Sequence, residues 1–259
     1  MIKKVLTKIV IFFLATSIGA VLLGKFLPIY YTPLMFIRLA EQCSADRPMK
    51  LSHHWVPMEE ISHNMPLAVM ASEDNLFLQH KGFDFEQIKI AAKEAADGGR
   101  QRGASTISQQ TAKNVFLWNG HSWMRKGLEV YFTVLIEAVW GKERIMEVYL
   151  NSIEMGDGIY GVEAVAQEHF GCHASQLTKR QSALVAASLP NPLERDSSNP
   201  SRYMRKRSRQ IMRLMRLIED PKMGCDPKYS LLSLSGDSRR VLYVRLIDRF
   251  VRHLRRRIM

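Results

Sequence analysis

Cysteine is scarce in this sequence, which contains three cysteines among 259 residues. Cys43, Cys172 and Cys225 stand far apart and form no Cys-x-x-Cys pair, which disfavours a zinc site or a disulfide framework. One pair can still join if the domain lies outside the cytoplasm. No period of roughly 20–50 residues recurs, so a repeat architecture is excluded. The glycine-rich residues 156–161 do not form a dinucleotide-binding fingerprint, because no convincing strand precedes them.

Acidic residues are also few compared with basic ones. The chain has 25 Asp and Glu against 37 Lys and Arg, which gives a formal net charge of +12. A strongly basic protein attracts anionic partners, so we expect phosphate groups, an acidic membrane surface or nucleic acid. The composition, 46% hydrophobic and 24% charged, is that of a globular protein with one good core, or one domain with appendages.

A long apolar run stands near the N terminus. Residues 5–27 reach the ~20 residues that a spanning helix needs, if Lys8 and Lys25 extend to the two interfaces. We therefore predict a transmembrane anchor over residues 9–27. The lysines before it favour a cytoplasmic segment, residues 1–8, and place the remainder on the far side. A cleaved signal peptide is the alternative, but no clear small-x-small cleavage site follows the run.

Three further parts follow the anchor. Residues 28–52 contain helix-breaking prolines and then become polar, which predicts a juxtamembrane linker. Residues 53–220 begin with a short extended segment, carry several helical patterns and are predicted to form the main domain. Residues 221–259 form a basic tail. Its amphipathic basic pattern most simply lies on an anionic membrane surface, and the topology disfavours nucleic acid as a partner.

Two adjacent carboxylates, Glu73 and Asp74, follow an apolar run that delivers them to a surface. Leu76 and Phe77 lie close to Glu73 in the sequence, and a carboxylate near apolar groups loses solvation, so its pKa rises. Such a group can accept a proton near neutral pH. The alternative is an ordinary acidic helix end, because adjacent carboxylates are common on surfaces. His80 is predicted to be a structural hydrogen-bonding residue.

Residues 103–114 are predicted to begin a helix near Thr106. On that helix Thr106, Gln110 and Lys113 share one polar face. Ser105 and Thr106 stand where free backbone N–H groups open the helix, a ready site for an anion. The alternative is a capped surface helix whose polar face meets water.

A longer helix is predicted over residues 123–140. Its predicted buried stripe consists of Leu128, Phe132, Leu135 and Val139. Arg125 and Lys126 lie one turn from Glu129. This arrangement is either a local ion pair or a phosphate site beside a second carboxylate.

Five ordered motifs resemble the peptidoglycan glycosyltransferases of glycosyltransferase family 51, in their monofunctional biosynthetic form. The motifs occupy residues 73–84, 103–114, 125–129, 156–164 and 184–192. The resemblance implies a mainly α, lysozyme-like helical glycosyltransferase domain with an N-terminal transmembrane helix. It implies a single-pass protein of the bacterial inner membrane, with the catalytic domain in the periplasm. Two local departures, Cys172 and the sequence 180–182, bear only on local contacts and helix capping.

The resemblance also implies the chemistry and the role of each residue. Lipid II is polymerised into β-1,4 glycan strands with inversion and release of undecaprenyl diphosphate. Glu73 is then the general base, and Glu129 is the second carboxylate, which assists at the donor or binds a divalent cation, Mg or Mn, at the diphosphate. The leaving diphosphate is stabilised by Lys113, Arg125 and Lys126. Sugar and phosphate oxygens are held by Asp74, Ser105, Thr106, Gln110 and Asn114.

The implied partners are lipid II, the growing glycan strand, membrane lipids and other cell-wall synthesis or division proteins, with no nucleic acid. The residues alone leave two other functions open. A lysozyme-like hydrolase would need a route for water, and the polar and basic motifs would then be surplus. A membrane-anchored peptidoglycan-binding protein would carry a degenerate site.

Overall fold

A computed structural model describes residues 2–98, 103–120 and 122–218. The predicted basic tail, residues 221–259, lies outside the described residues, as does Cys225. Within them the fold is mainly helical, as predicted. The α-helices are α1 Ile2–Phe26, α2 Pro33–Ser44, α3 Asn64–Glu73, α4 Phe85–Ala96, α5 Ile107–Phe116, α6 Trp123–Val139, α7 Gly141–Ser152, α8 Val162–Phe170, α9 Lys179–Ser188 and α10 Arg202–Leu214.

Three short strands form a small sheet in the order β1-β3-β2. Strand β1 is Ser52–His53, β2 is Glu154–Gly156 and β3 is Ile159–Tyr160. β1 pairs parallel with β3, and β2 pairs antiparallel with β3 through a register shift. The glycine-rich turn around this sheet is a tight packing turn. Gly161 has φ +82°, and a Cβ there would lie 2.6 Å from the Asn151 carbonyl oxygen, so only glycine fits without strain.

Helix α1 is long and apolar enough to cross a membrane, with a mean hydropathy of 2.2 over its best window. Its 25 residues extend ~37 Å at ~1.5 Å per residue, more than the ~30 Å hydrocarbon core. Its C-terminal half is fastened to the domain. The Trp140 indole N–H donates to the Val21 carbonyl at 2.7 Å, and the Arg144 guanidinium donates to the carbonyls of Gly24 and Leu27. The prediction that α1 is an uncleaved anchor stays a prediction.

The segment predicted as a linker, residues 28–52, contains regular structure. Thr32 caps α2, whose first residue is Pro33, so that proline opens a helix. Arg38 of α2 pairs with Glu154 at 3.2 Å, and Lys50 pairs with Glu168 at 2.5 Å. Most of this segment therefore lies against the domain, because its polar residues find partners there.

Helices α3, α9 and α10 pack around a core of small residues. Ala68 and Ala71 of α3 meet Ala183, Ala186 and Ala187 of α9, and Ile211 of α10 closes the cluster. Small side chains let the helix axes approach closely, and α9 is buried from Ser182 to Ser188. This packing fixes the C-terminal end of α3 beside α10.

Helix α6 corrects one prediction. Of the predicted stripe Leu128, Phe132, Leu135 and Val139, only Phe132 is buried, and the other three are half-buried. The buried face of α6 instead consists of Arg125, Glu129, Phe132, Thr133 and Ile136. This face packs on α5 and α7, and its charges are buried because they pair with each other.

Candidate active site

Glu73 is the last residue of α3, and its carboxylate is half-buried. The Ser72 hydroxyl donates to one carboxylate oxygen at 3.1 Å, and Gln110 Nε2 donates to the other at 3.2 Å. Burial raises the pKa of Glu73 above the ordinary carboxyl value, while these hydrogen bonds and the charge of Arg207 partly oppose that shift. The predicted desolvation of Glu73 is therefore confirmed in direction, and the group is suited to accepting a proton.

The side chain of Gln110 is oriented from behind by Tyr149 of α7. The Tyr149 hydroxyl donates to Gln110 Oε1 at 3.2 Å, while Gln110 Nε2 faces Glu73 and the Ser105 carbonyl oxygen. Tyr149 is fully buried, and burial raises its pKa well above the usual value, so the phenol stays a neutral donor. Gln110 thus connects the buried Tyr149 hydroxyl to the Glu73 carboxylate through its two amide hydrogen bonds.

Asp74 joins the end of α3 to the start of α5. Its carboxylate accepts from His80 Nε2 at 2.9 Å and from the Ile107 backbone N–H at 3.0 Å. The Gly82 N–H donates to His80 Nδ1, so the ring proton is on Nε2, where it faces Asp74. The Asp74 carboxylate therefore supplies the negative charge that stabilises the positive, N-terminal end of α5. This geometry favours a positioning role for Asp74, and His80 has the structural role that was predicted.

Thr106 is the N-cap of α5 and forms a capping box with Gln109. Its hydroxyl also donates to the Gly82 carbonyl at 2.7 Å, and its side chain is buried. Ser105 is exposed. Of this pair, Ser105 therefore has the more accessible hydroxyl for a substrate oxygen.

A cavity of about 990 Å³ opens beside Glu73. Five of the predicted site residues line it: Glu73, Asp74, Ser105, Thr106 and Gln110. The other five, Lys113, Asn114, Arg125, Lys126 and Glu129, are not in its wall. Asn114 is buried on α5.

A second cluster surrounds Glu129 of α6. Arg125 pairs with one oxygen of Glu129 at 2.7 Å, and Lys126 pairs with the other at 2.5 Å. Arg125 and Glu129 are 8% and 3% exposed, so the pair is shielded from water. The Nε of Arg125 is buried, and within the described residues it has no hydrogen-bond partner. A buried donor without an acceptor is rare in folded proteins, so this N–H has unused hydrogen-bonding capacity.

Lys113 lies beside this cluster on α5. Burial lowers the pKa of its ammonium, the charge of Glu129 raises it, and the nearby cations lower it further. One of those cations is Arg38 of α2, which was not among the predicted site residues. Across the described parts of the chain, no hydrogen bond or ion pair neutralises Lys113, so it adds an unpaired positive charge to the cluster.

The two clusters meet along α5. Lys113 follows Gln110 by three residues, and side chains at that spacing have Cβ atoms about 5–6 Å apart on one face of a helix. One turn of α5 therefore separates the proton acceptor from the cations. Sequence reasoning did not identify Ser72, Tyr149 or Arg207 as functional residues near Glu73. Of these, only Arg207 could have been noticed, because it belongs to the basic helix α10.

The surroundings of Glu129 do not fit a divalent cation held by the protein. Both of its oxygens accept from cationic side chains, and another cation would be repelled by Arg125, Lys126 and Lys113. Within residues 2–98, 103–120 and 122–218, no cluster of three His, Cys, Asp or Glu side chains could hold a metal. We therefore derive no chemistry through a metal.

Comparisons with known proteins agree with this geometry. The family model described as Transglycosylase matches residues 41–216. A biosynthetic peptidoglycan transglycosylase from Bacteroides thetaiotaomicron is 56% identical over 221 residues, covering 84% of this chain and 89% of the relative. Proteins of the same name from Caulobacter vibrioides and Bdellovibrio bacteriovorus are 49% and 48% identical over 211 residues. These alignments cover 82% of this chain, and 90% and 84% of the respective relatives. The chain therefore belongs to the transglycosylase family, whose domain is lysozyme-like and helical.

Proposed function

We propose that this protein is a peptidoglycan glycosyltransferase that polymerises lipid II into β-1,4 glycan strands. The observation that carries the proposal is Glu73, a half-buried carboxylate with a raised pKa, in the wall of a cavity of about 990 Å³. The printed names of the relatives support the substrate class. A cavity of this size accommodates several sugar rings, and more than half of the residues in its wall have polar side chains, which suits a sugar substrate.

The reaction needs one base and one anion site. Glu73 removes the proton from the 4-hydroxyl of the acceptor sugar, and that oxygen attacks C1 of the lipid-linked donor. The C1–O4 bond forms while the bond from C1 to the diphosphate oxygen breaks, so the configuration at C1 inverts and undecaprenyl diphosphate leaves. A positioned general base contributes roughly 10²–10⁴-fold to such a step.

The departing diphosphate is assigned to Lys113, Arg125 and Lys126. Cations fixed before the reaction stabilise charge that develops on the leaving group. Lys113 forms no salt bridge with the described side chains, and Arg125 Nε lacks a partner there, so both have capacity for phosphate oxygens. The spacing of about 5–6 Å from Gln110 to Lys113 is of the order of one sugar ring, as the reaction requires.

Glu129 is assigned a positioning role in this scheme. Its two oxygens hold Arg125 and Lys126 at 2.7 Å and 2.5 Å. Direct assistance at the donor would require one of those pairs to open. The buried pair fixes the orientation of both cations.

Helix α1 supports a location for the domain at a membrane. A single spanning helix would anchor the chain in the bacterial inner membrane, with the domain in the periplasm, where lipid-linked substrate is exposed. Membrane lipids, the growing strand and other cell-wall synthesis proteins are then its partners. A lysozyme-like hydrolase is disfavoured because the cations of Lys113, Arg125 and Lys126 would have no function in hydrolysis by water.

Labelled lipid II and purified full-length protein test the proposal. Wild type should give long glycan products and should not shorten preformed glycan. Lys113→Gln should lower the polymerisation rate about 100-fold, because one cation at the leaving group is lost. The matched control is Lys89→Gln, an exposed lysine of α4 paired with Glu86. Shortening of preformed glycan, or equal rates for Lys113→Gln and wild type, would contradict the proposal.

A further inference from the structure

A second cavity, of about 360 Å³, lies on the α10 side of Glu73. Its wall shares Ser72, Glu73, Pro190 and Arg207 with the larger cavity, so the two spaces adjoin at the catalytic carboxylate. The proposed mechanism uses the larger cavity and the cations beyond Gln110. It leaves this second space without a function.

The second cavity is strongly basic. Arg195, Lys206 and Arg207 line it, and Glu73 is the only acidic side chain that the described residues place in its wall. Within the described parts of the chain, none of the three cations forms a salt bridge. Three cations that share one space with a single carboxylate still carry excess positive charge and repel one another, so such a cluster is favoured where it binds a further anion.

Two of these cations are held in place by uncharged groups. The Arg195 guanidinium stacks on the Tyr203 ring at 5.1 Å and donates to the Ala187 carbonyl at 3.4 Å. Arg207 donates to the Ser72 carbonyl at 3.4 Å. Since carbonyls and an aromatic ring leave the positive charge uncompensated, the remaining N–H groups can receive planar anions such as carboxylates.

We propose that this second cavity binds a carboxylate of the peptide stem carried by the sugar substrate. The inference rests on the proposed function, because Glu73 must contact the acceptor sugar. Sugar hydroxyls are uncharged and do not require three cations, and the leaving diphosphate is assigned to the Lys113 cluster. The peptide stem is the other part of a peptidoglycan precursor that carries negative charge. Arg195, Lys206 and Arg207 are specificity residues in this assignment, and they hold the stem while its sugar lies over Glu73.

Two forms of the substrate test the assignment: lipid II with free stem carboxylates and the same lipid II with those carboxylates amidated. Wild type should show a KM about tenfold higher for the amidated form, with kcat within about twofold. A tenfold difference corresponds to ~1.4 kcal/mol, within the range of a hydrogen bond to a charged group. Equal KM values for the two forms would overturn the inference, and this comparison needs no variant.

The double variant Arg195→Gln and Lys206→Gln localises the effect. It should raise KM for the free-acid substrate to the value for the amidated one, and it should leave KM for the amidated substrate unchanged. Arg209→Gln is the control, since Arg209 is an exposed cation of α10 outside the cavity wall. An equal rise in KM for both substrates, in a variant that melts at the wild-type temperature, would mean that the bound anion is a diphosphate, and it would overturn the carboxylate assignment.

The outcomes separate this inference from the proposed function. If wild type polymerises neither substrate, the proposed glycosyltransferase activity fails. If wild type polymerises both with equal KM, the activity stands and only the stem-binding cavity is refuted.

Discussion

Replacing Tyr149 by phenylalanine removes one hydroxyl from a fully buried ring. That hydroxyl holds Gln110 Oε1, so the amide nitrogen faces Glu73. In Tyr149→Phe the Gln110 amide oxygen has lost this donor, so the side chain is free to swing away from Glu73. The ionised form of Glu73 then loses a hydrogen bond, so its pKa should rise further.

The magnitude follows from the bond that is lost. A hydrogen bond to a charged group contributes about 1.5–3 kcal/mol, and ~1.4 kcal/mol is a factor of ten in rate. We expect kcat/KM for lipid II polymerisation to fall about tenfold on the acid side of the pH profile, where ionised Glu73 is scarce. At higher pH the rate should approach the wild-type value, because Glu73 is ionised in both proteins.

The assay is the initial rate of polymerisation measured across pH. Tyr160→Phe is the matched control: Tyr160 is also fully buried, but its hydroxyl donates to Glu154 at 3.4 Å. In the control, the rate should fall on the acid side of the profile at the same pH as in wild type. The orienting role of Tyr149 would be refuted if Tyr149→Phe lowered the rate equally at every pH, or if its rate fell on the acid side at the wild-type pH.

Two further predictions concern stability. Because burial raises the pKa of Glu73 in the folded state, the folded chain holds its proton to higher pH than the unfolded chain, and stability falls as pH rises through that interval. Glu73→Gln should therefore be more stable than wild type at neutral pH, and the difference in the free energy of unfolding should shrink at acidic pH in denaturant melts. The control Glu86→Gln, at an exposed position, should show no such trend. Arg144→Ala removes the donors to the Gly24 and Leu27 carbonyls and should lower the free energy of unfolding by about 2 kcal/mol in detergent melts. The control Arg47→Ala breaks a more exposed pair with Asp157 and should lower it by under about 1 kcal/mol. Equal losses of stability in the two variants would argue against α1 being fastened by Arg144.

Local sequence signals predicted much of the site. The apolar run before Glu73 predicted a buried element that delivers it, which is helix α3, and the polar sequence after Gly103 predicted the start of α5. These features depend on neighbours in the chain, and periodicity and capping rules describe them well.

Contacts between distant segments could not be predicted in the same way. Tyr149 reaches Gln110 because α7 packs on α5, and Arg38 approaches Lys113 because α2 packs on α5. The buried face of α6 was assigned wrongly because hydropathy treats Arg125 and Glu129 as solvated, whereas their mutual ion pair allows burial. The apolar side of α6 instead meets α1, where Tyr131 and Ser17 are 2.8 Å apart.

In the proposed reaction Glu73 performs the chemistry. The most direct test is a single-turnover experiment with Glu73→Gln, in which binding of labelled lipid II and formation of the first glycosidic bond are measured separately. We expect binding within about twofold of wild type and bond formation slower by about 10²–10⁴-fold, the contribution of a positioned base. Glu86→Gln should match wild type in both steps. Bond formation by Glu73→Gln at the wild-type rate would contradict the account.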